Sequence, residues 1–247
     1  MTGRTAIVTG ASRGIGLAIA ERLVADGMRV VITARNKDAL DEAVERLGAE
    51  HALGVAGRAD DAGHQEEVVR RTLDTFGSID FLVNNTGINP AYGPMTGLDL
   101  DAARKTVEVN CIAAVSWVQK VHAAWMGAHG GAIVNVSSVS GIRPARNIGF
   151  YGATKAMLNS ITELLALELG PAIRVNGVAP AVVKTRFAAA LYEGREAKTS
   201  RAYPLKRLGV PDDVAGVVAF LLSDDAAWLT GQTVVLDGGG TLTSSVE

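Results

Sequence analysis

The apolar, β-branched run Thr5-Ala6-Ile7-Val8 leads straight into Thr9-Gly10-Ala11-Ser12-Arg13-Gly14-Ile15-Gly16, and residues 17–24 then carry apolar side chains at helical spacing. A strand, a glycine-rich turn and a helix in immediate succession constrain the fold more than any other feature of this chain. Glycines let the backbone turn tightly and come close to a pyrophosphate, while the helix N-terminus offers unpaired N–H groups and partial positive charge. A bare glycine triplet is equally an ordinary βα loop. The strand before it and the helix after it are what favour a phosphate site. Gly10, Ser12, Arg13, Gly14, Ile15 and Gly16 are therefore candidate cofactor contacts.

A second strand, 29–33, follows Gly27 and runs out as Thr33-Ala34-Arg35-Asn36. An acidic residue at this point holds the ribose 2′-OH of NAD, whereas an arginine accommodates the 2′-phosphate of NADP. Here there is no acid and one arginine, with Arg13 as a second cation in the turn. NADP(H) is the preferred cofactor on this reading and NAD(H) the secondary one; the plain alternative makes Arg35 a solvated loop residue.

The rest of the chain alternates the same two patterns. Strands are predicted at 5–9, 29–33, 51–55, 81–84, 132–137, 174–178 and 233–236, with helices near 12–26, 37–47, 62–76, 99–128, 151–169 and 211–223. Pro211-Asp212-Asp213 opens the last helix with an early proline and acids in the first turn. The pattern predicts an α/β chain: a Rossmann-type doubly wound sheet of about seven parallel strands with helices on both faces. In such sheets a ligand sits outside the strand C-termini, which is where the glycine turn and the later motifs fall. Length of 247 residues fits one domain spanning 1–247.

Tyr151 and Lys155 stand four residues apart in Tyr-Gly-Ala-Thr-Lys, and Ser138 lies thirteen residues before Tyr151. Residues at i and i+4 share a helix face, so the ammonium can lie beside the phenol oxygen. A phenol of pKa roughly 10 is a poor base near neutrality, and a fixed positive charge nearby lowers that value. The pattern predicts a lowered Tyr151 pKa, with Ser138 hydrogen-bonding a substrate oxygen while the tyrosine gives or takes a proton.

Taken together, Thr9-Gly10 with Gly14 and Gly16, Asn84-Asn85-Thr86-Gly87, Asn110, Ser138, Tyr151 and Lys155 stand in the order and spacing of the short-chain dehydrogenase/reductase family. Pro180, Thr185 and Leu236-Asp237-Gly238-Gly239 also match, so the resemblance runs from Thr5 to Gly239. Within the family the chain resembles 3-oxoacyl reductases and alcohol dehydrogenase-like members. The resemblance implies an oxidoreductase that moves a hydride directly between nicotinamide and a carbonyl carbon or secondary alcohol. It implies Tyr151 as general acid/base and Ser138 as the residue that orients the carbonyl. Lys155 would lower the tyrosine pKa and hold the nicotinamide ribose, while Asn110 would pin a water linking Lys155 to solvent. Asn84, Asn85, Thr86 and Gly87, with Asp60, Pro180, Val183 and Thr185, would line the cofactor. It also implies a homotetramer joined through the two long helices. Thr86 and Ala181 depart from the usual alanine and glycine, and Gly57-Arg58 replaces the usual adenine-binding pair.

Substrate choice rests on the variable parts. Segment 184–207 has the look of a lid, with seven basic residues against Glu193 and Glu196, and Arg143 and Arg146 add cations between Ser138 and Tyr151. An anionic substrate such as an acyl thioester is one reading; a solvated helix face is the other. Tyr92 is a candidate pocket wall and Arg143 a candidate substrate contact. The competing class is a non-catalytic dinucleotide-binding redox sensor or scaffold, which has no need of the Asn110, Ser138, Tyr151 and Lys155 set.

Several partners are not supported. A net charge of −2 gives no footprint for nucleic acid. No apolar run approaches the roughly 18 residues of a membrane span. The single cysteine, Cys111, suits a reducing compartment and is expected to be buried. With Met-Thr-Gly-Arg leading into a strand and no signal peptide visible, the expected location is cytoplasmic. His51, His64, His122 and His129 lack ligand-like spacing, so no catalytic metal is expected.

Overall fold

Seven short apolar runs form the strands β1 (Thr5–Thr9), β2 (Arg29–Ala34), β3 (Ala52–Ala56), β4 (Phe81–Asn84), β5 (Gly131–Val136), β6 (Ile173–Pro180) and β7 (Thr233–Leu236). In the computed structural model, which describes residues 1–243, all seven pair in parallel in the order β3-β2-β1-β4-β5-β6-β7. The order reverses between β1 and β4, and that switch point opens a crevice at the strand C-termini.

Side chains of successive strand residues go to opposite faces. Ala6 and Val8 join a core with Ile19, Leu23, Val218 and Leu222, whereas Ile7 joins Val68, Trp117, Val121 and Val175 on the other side. Helices α1 (Gly14–Ala25), α2 (Lys37–Leu47) and α10 (Pro211–Leu222) supply the first layer. Helices α3 (Ala62–Phe76), α5 (Ala113–Val121) and α7 (Gly149–Leu169) supply the second. Burial on both faces is why these strands are near-continuous in apolar residues.

The expected helix over 99–128 is a composite. It runs as α4 (Leu100–Val107), a π-type turn at Glu108–Ile112, α5, a second π-type turn at His122–Met126, and α6 (Gly127–His129). Segment 184–207 holds two short helices, α8 (Ala189–Tyr192) and α9 (Glu196–Arg201). β3 sits one residue later than expected, in register with β2 through Val30 and Ala52. β6 extends to Pro180 because β7 pairs with it there, Pro180 opposite Leu236. Trp117 is core, 1% exposed, its Nε1 donating to Ala59 O at 3.0 Å, while Trp228 is fully exposed. Among the described residues no helix is long and apolar enough to cross a membrane.

Candidate active site

The glycine turn is held from the neighbouring strand end. Thr9 Oγ1 accepts from Asn85 N at 3.0 Å and Thr86 N at 3.1 Å, and Asn85 Nδ2 donates to Thr9 O at 2.9 Å and Gly10 O at 3.1 Å. These bonds leave no room at Gly16, where a Cβ would stand 2.5 Å from Asn85 Nδ2 and 2.7 Å from Gly10 O. Gly16→Ala is expected to force the turn open, at about 1–3 kcal/mol of overpacking. Thermal denaturation should show a loss of several degrees together with lost dinucleotide affinity by titration. Unchanged melting with intact binding would contradict this reading of the turn.

Four observations fit a dinucleotide against this turn. Helix α1 starts without a side-chain cap, whereas α2 and α3 are capped by Asn36 and Asp61. Its first N–H groups are therefore left for an anion. Thr86 Oγ1 is buried beside Gly10 with no hydrogen-bond partner among the described residues. Arg13 and Arg35 are both exposed, and neither has an ion-pair or side-chain hydrogen-bond partner among the described residues. Finally, Thr185 Cγ2 lies 3.4 Å from a Cβ placed on Gly14, bringing the segment after β6 over the turn. Ser12 and Ile15 are half-buried within the same turn.

The residues expected to handle the proton meet at the N-terminal half of α7. Lys155 is 3% exposed, and its Nζ donates to Val136 O at 2.8 Å and lies 5.7 Å from the centroid of the Tyr151 ring. Burial lowers its pKa to about 8, with Cys111 pulling the other way. Tyr151 is half-buried and hydrogen-bonded to Ser138. Burial pushes the phenol up to about 12, and the Ser138 bond opposes that rise. The expected lowering of the Tyr151 pKa by Lys155 is thus corrected. The ammonium stands over the ring, bonded to a backbone carbonyl, and desolvation dominates at the phenol.

Asn110 sits in the first π-type turn and is 1% exposed. Its Oδ1 accepts from Ile88 N at 2.8 Å, and its Nδ2 donates to Ile88 O and Thr154 Oγ1, both at 3.0 Å. Both amide hydrogens are taken, so Asn110 clamps the loop after β4 to α7. A Cβ at Gly87 would stand 3.3 Å from Lys155 Nζ and 3.5 Å from Asn110 Oδ1, so this loop meets both residues. Cys111 Sγ donates to Thr154 O at 3.1 Å, and burial pushes its thiol up to about 11, which makes it packing rather than a nucleophile.

Other expected site residues have different tasks. Asn84 is buried and bridges strands and helix, its Nδ2 donating to Asn135 Oδ1 at 3.0 Å and Ala114 O at 3.3 Å, away from the crevice. Burial works to raise the Asp60 carboxyl, but hydrogen bonds from Arg58 and Lys105 outweigh it and hold it at about 2. Arg143 Nη1 donates to Thr241 O at 3.4 Å and Thr243 O at 3.2 Å, which engages it with the C-terminal segment. Pro180 and Val183 are buried under the site. Tyr92, 68% exposed, lines a pocket of about 250 Å³ with Met95, Asn147 and Phe150.

Much of the positive charge of segment 184–207 is answered locally. Lys184 pairs with Glu196, and Arg207 reaches both carboxylate oxygens of Asp213 at 2.6 and 2.8 Å. Arg186, Lys198 and Arg201 have no side-chain partner among the described residues. Three contributors were not read from the sequence. Phe187 stands with its ring 6.1 Å from that of Tyr151, Thr154 ties Asn110 to α7, and Ser140 donates to Ser138. Only Ser140 had a visible signal, a second serine two places after Ser138. Among the described residues no three His, Cys, Asp or Glu side chains converge as a metal site would need.

Residues 10–241 match the profile of a family described as Enoyl-(Acyl carrier protein) reductase. The chain is 42% identical over 246 residues to "Dehydrogenase/reductase SDR family member 4" of Caenorhabditis elegans, covering 96% of this chain and 95% of that one. It is 38% identical over 241 residues to "Tropinone reductase-like 3" of Erythroxylum coca, covering 96% and 93% of the two chains. Among solved structures, a short-chain dehydrogenase/reductase described as glucose/ribitol dehydrogenase from Brucella melitensis superposes with a TM-score of 0.92. It shares 35% sequence identity, and the alignment covers 97% of each chain.

Proposed function

Because the chain belongs to the short-chain dehydrogenase/reductase family and is an oxidoreductase of that family, we propose that it reduces a carbonyl, or oxidises the matching secondary alcohol, with NADP(H). One observation carries the reading: Tyr151, with Ser138 beside its phenol, has the ammonium of the buried Lys155 5.7 Å from its ring centroid. The bound nicotinamide supplies or accepts the hydride. Gly10, Gly14, Gly16, Asn85, Thr86, Gly87 and Thr185 would hold the cofactor, with Arg13 and Arg35 at its 2′-phosphate.

Tyr151 gives its phenol proton to the carbonyl oxygen in reduction and recovers it in oxidation. Ser138 hydrogen-bonds the same oxygen and fixes its orientation. Lys155, anchored on Val136 O, keeps a positive charge under the phenol below pH about 8. Asn110 keeps the loop after β4 in register with α7. Tyr92 and Met95 line one pocket and Phe187 stands against Tyr151, apolar and aromatic surface that favours a small, largely apolar carbonyl compound.

A second reading, reduction of a 3-oxoacyl thioester, is favoured by the cations Arg186, Lys198 and Arg201, whose side chains have no partner among the described residues. A homotetramer is supported by Met157, Leu164 and Leu167, which leave an apolar stripe exposed along α7. Initial rates of NADPH and NADH oxidation with acetoacetyl-CoA, a simple ketone and a quinone test the function. Turnover on the ketone with NADPH, absent with the thioester, is the expected result. Turnover confined to the thioester would make the second reading the correct one, and tight NADPH binding without turnover on any carbonyl would favour a sensor or scaffold.

A further inference from the structure

Two segments flank the crevice, and both are tied to the turn Gly240–Leu242 and its neighbours. Segment 184–207 reaches over the site, with Thr185 against Gly14 and the Phe187 ring 6.1 Å from that of Tyr151. Just past α9, Ala202 O accepts from Thr243 Oγ1 at 3.3 Å, and Leu205 N donates to Gly238 O at 3.2 Å. A Cβ on Gly239, whose φ is +83°, would stand 2.7 Å from Pro204 Cγ, and one on Gly240 would stand 2.8 Å from Tyr203 Cδ1. The other segment is the loop that leads from Ser138 to Tyr151. Its Arg143 donates through Nη1 to Thr241 O and Thr243 O.

Asp237, the residue after β7, folds this turn. Its Oδ1 accepts from Gly239 N at 2.9 Å, its Oδ2 from Thr241 N at 2.6 Å, and its carbonyl from Gly240 N at 2.9 Å. β7 is fixed in turn to the end of β6, Pro180 opposite Leu236. We propose that Asp237 is a positioning residue: the turn it folds clasps segment 184–207 to the Arg143 loop and so sets the width of the crevice mouth. Its effect on substrate rests on the crevice being the site proposed above, whereas the clasp itself does not. The two links act in series. Once either is cut the segments are free of each other, and cutting the second adds little.

The test follows trypsin cleavage after Lys198 and Arg201, both exposed on α9, because cleavage reports how often this segment opens. The variants are Asp237→Asn, whose amide nitrogen cannot accept from a backbone N–H, Arg143→Ala, and the two combined. Cleavage should quicken about threefold to tenfold in each single variant, the worth of a hydrogen bond or two. Melting temperature and NADPH affinity should hold, and KM for the ketone should rise a few-fold with kcat unchanged. The double variant should match the faster single one rather than the product of both. Arg143 is exposed, so Arg143→Ala carries the test if Asp237→Asn melts early. Wild-type cleavage in the single variants, or a double variant at the product, would overturn the clasp. Faster cleavage with KM unmoved would overturn its hold on the crevice mouth. Absence of turnover on any carbonyl would remove the proposed function instead, with the clasp still decided by the cleavage rates.

Discussion

Replacing Tyr151 by Phe should lower kcat by about 10²–10⁴-fold, the range general acid–base catalysis contributes, while dinucleotide binding stays nearly unchanged. The substitution removes one hydroxyl whose partner is Ser138 and leaves the ring against Phe187 and Lys155. No backbone bond of α7 depends on it, so melting temperature should hold. The same phenol predicts the pH dependence. With its pKa pushed up to about 12, Tyr151 is protonated through neutrality, which is the form that reduction needs. Oxidation needs that proton gone, so its rate should climb with pH while reduction stays flat and then declines. Lys155, lowered to about 8, loses its charge within the same range and removes its support for the phenolate above it. Measuring kcat/KM in both directions from pH 6 to 10 checks this. Oxidation fastest at the acid end, or substantial turnover in Tyr151→Phe, would rule out the tyrosine as the proton carrier.

Arg35→Asp should weaken NADPH binding about tenfold to hundredfold, the effect of losing one charge-assisted hydrogen bond of about 1.5–3 kcal/mol. The new carboxylate also repels the 2′-phosphate, so the upper end of the range is the expected one. NADH should bind as well as before, or better, because an acid at this strand end accepts from the ribose 2′-OH. Arg35 is exposed and without a partner among the described residues, so the fold has no stake in the change. Titrating both cofactors against the variant reads the effect directly. Equal losses for the two would show that Arg35 does not read the phosphate.

The strands, their parallel pairing and the meeting of Asn85, Gly87, Tyr151 and Lys155 at one crevice were legible because burial on both sheet faces writes itself into the sequence as apolar runs and ligands gather at the strand C-termini. Chemistry decided by a partner far along the chain was not. Lys155 was expected to serve the phenol, but its ammonium found Val136 O, a backbone atom that no residue pattern announces. Asp60 was taken by Lys105, forty-five positions on, and Arg143 by carbonyls about a hundred positions away. Helical periodicity also tolerates one extra residue per turn, so the π-type turn that carries Asn110 left no trace. The direction of the Tyr151 shift failed for a related reason: desolvation depends on what covers a side chain, and spacing alone does not count that cover.

Tyr92, Phe187 and the cations of α9 are exposed, and none belongs to either buried core. Lys155 and Asn110, the side chains proposed to serve the proton transfer, are by contrast anchored through Val136, Ile88 and Thr154 to the sheet and α7. On the proposed function, recognition and reactivity are thereby carried by separable parts of the chain. A lineage, or an engineer, can rewrite which molecule is accepted through residues whose replacement costs little stability, with the reaction itself left standing.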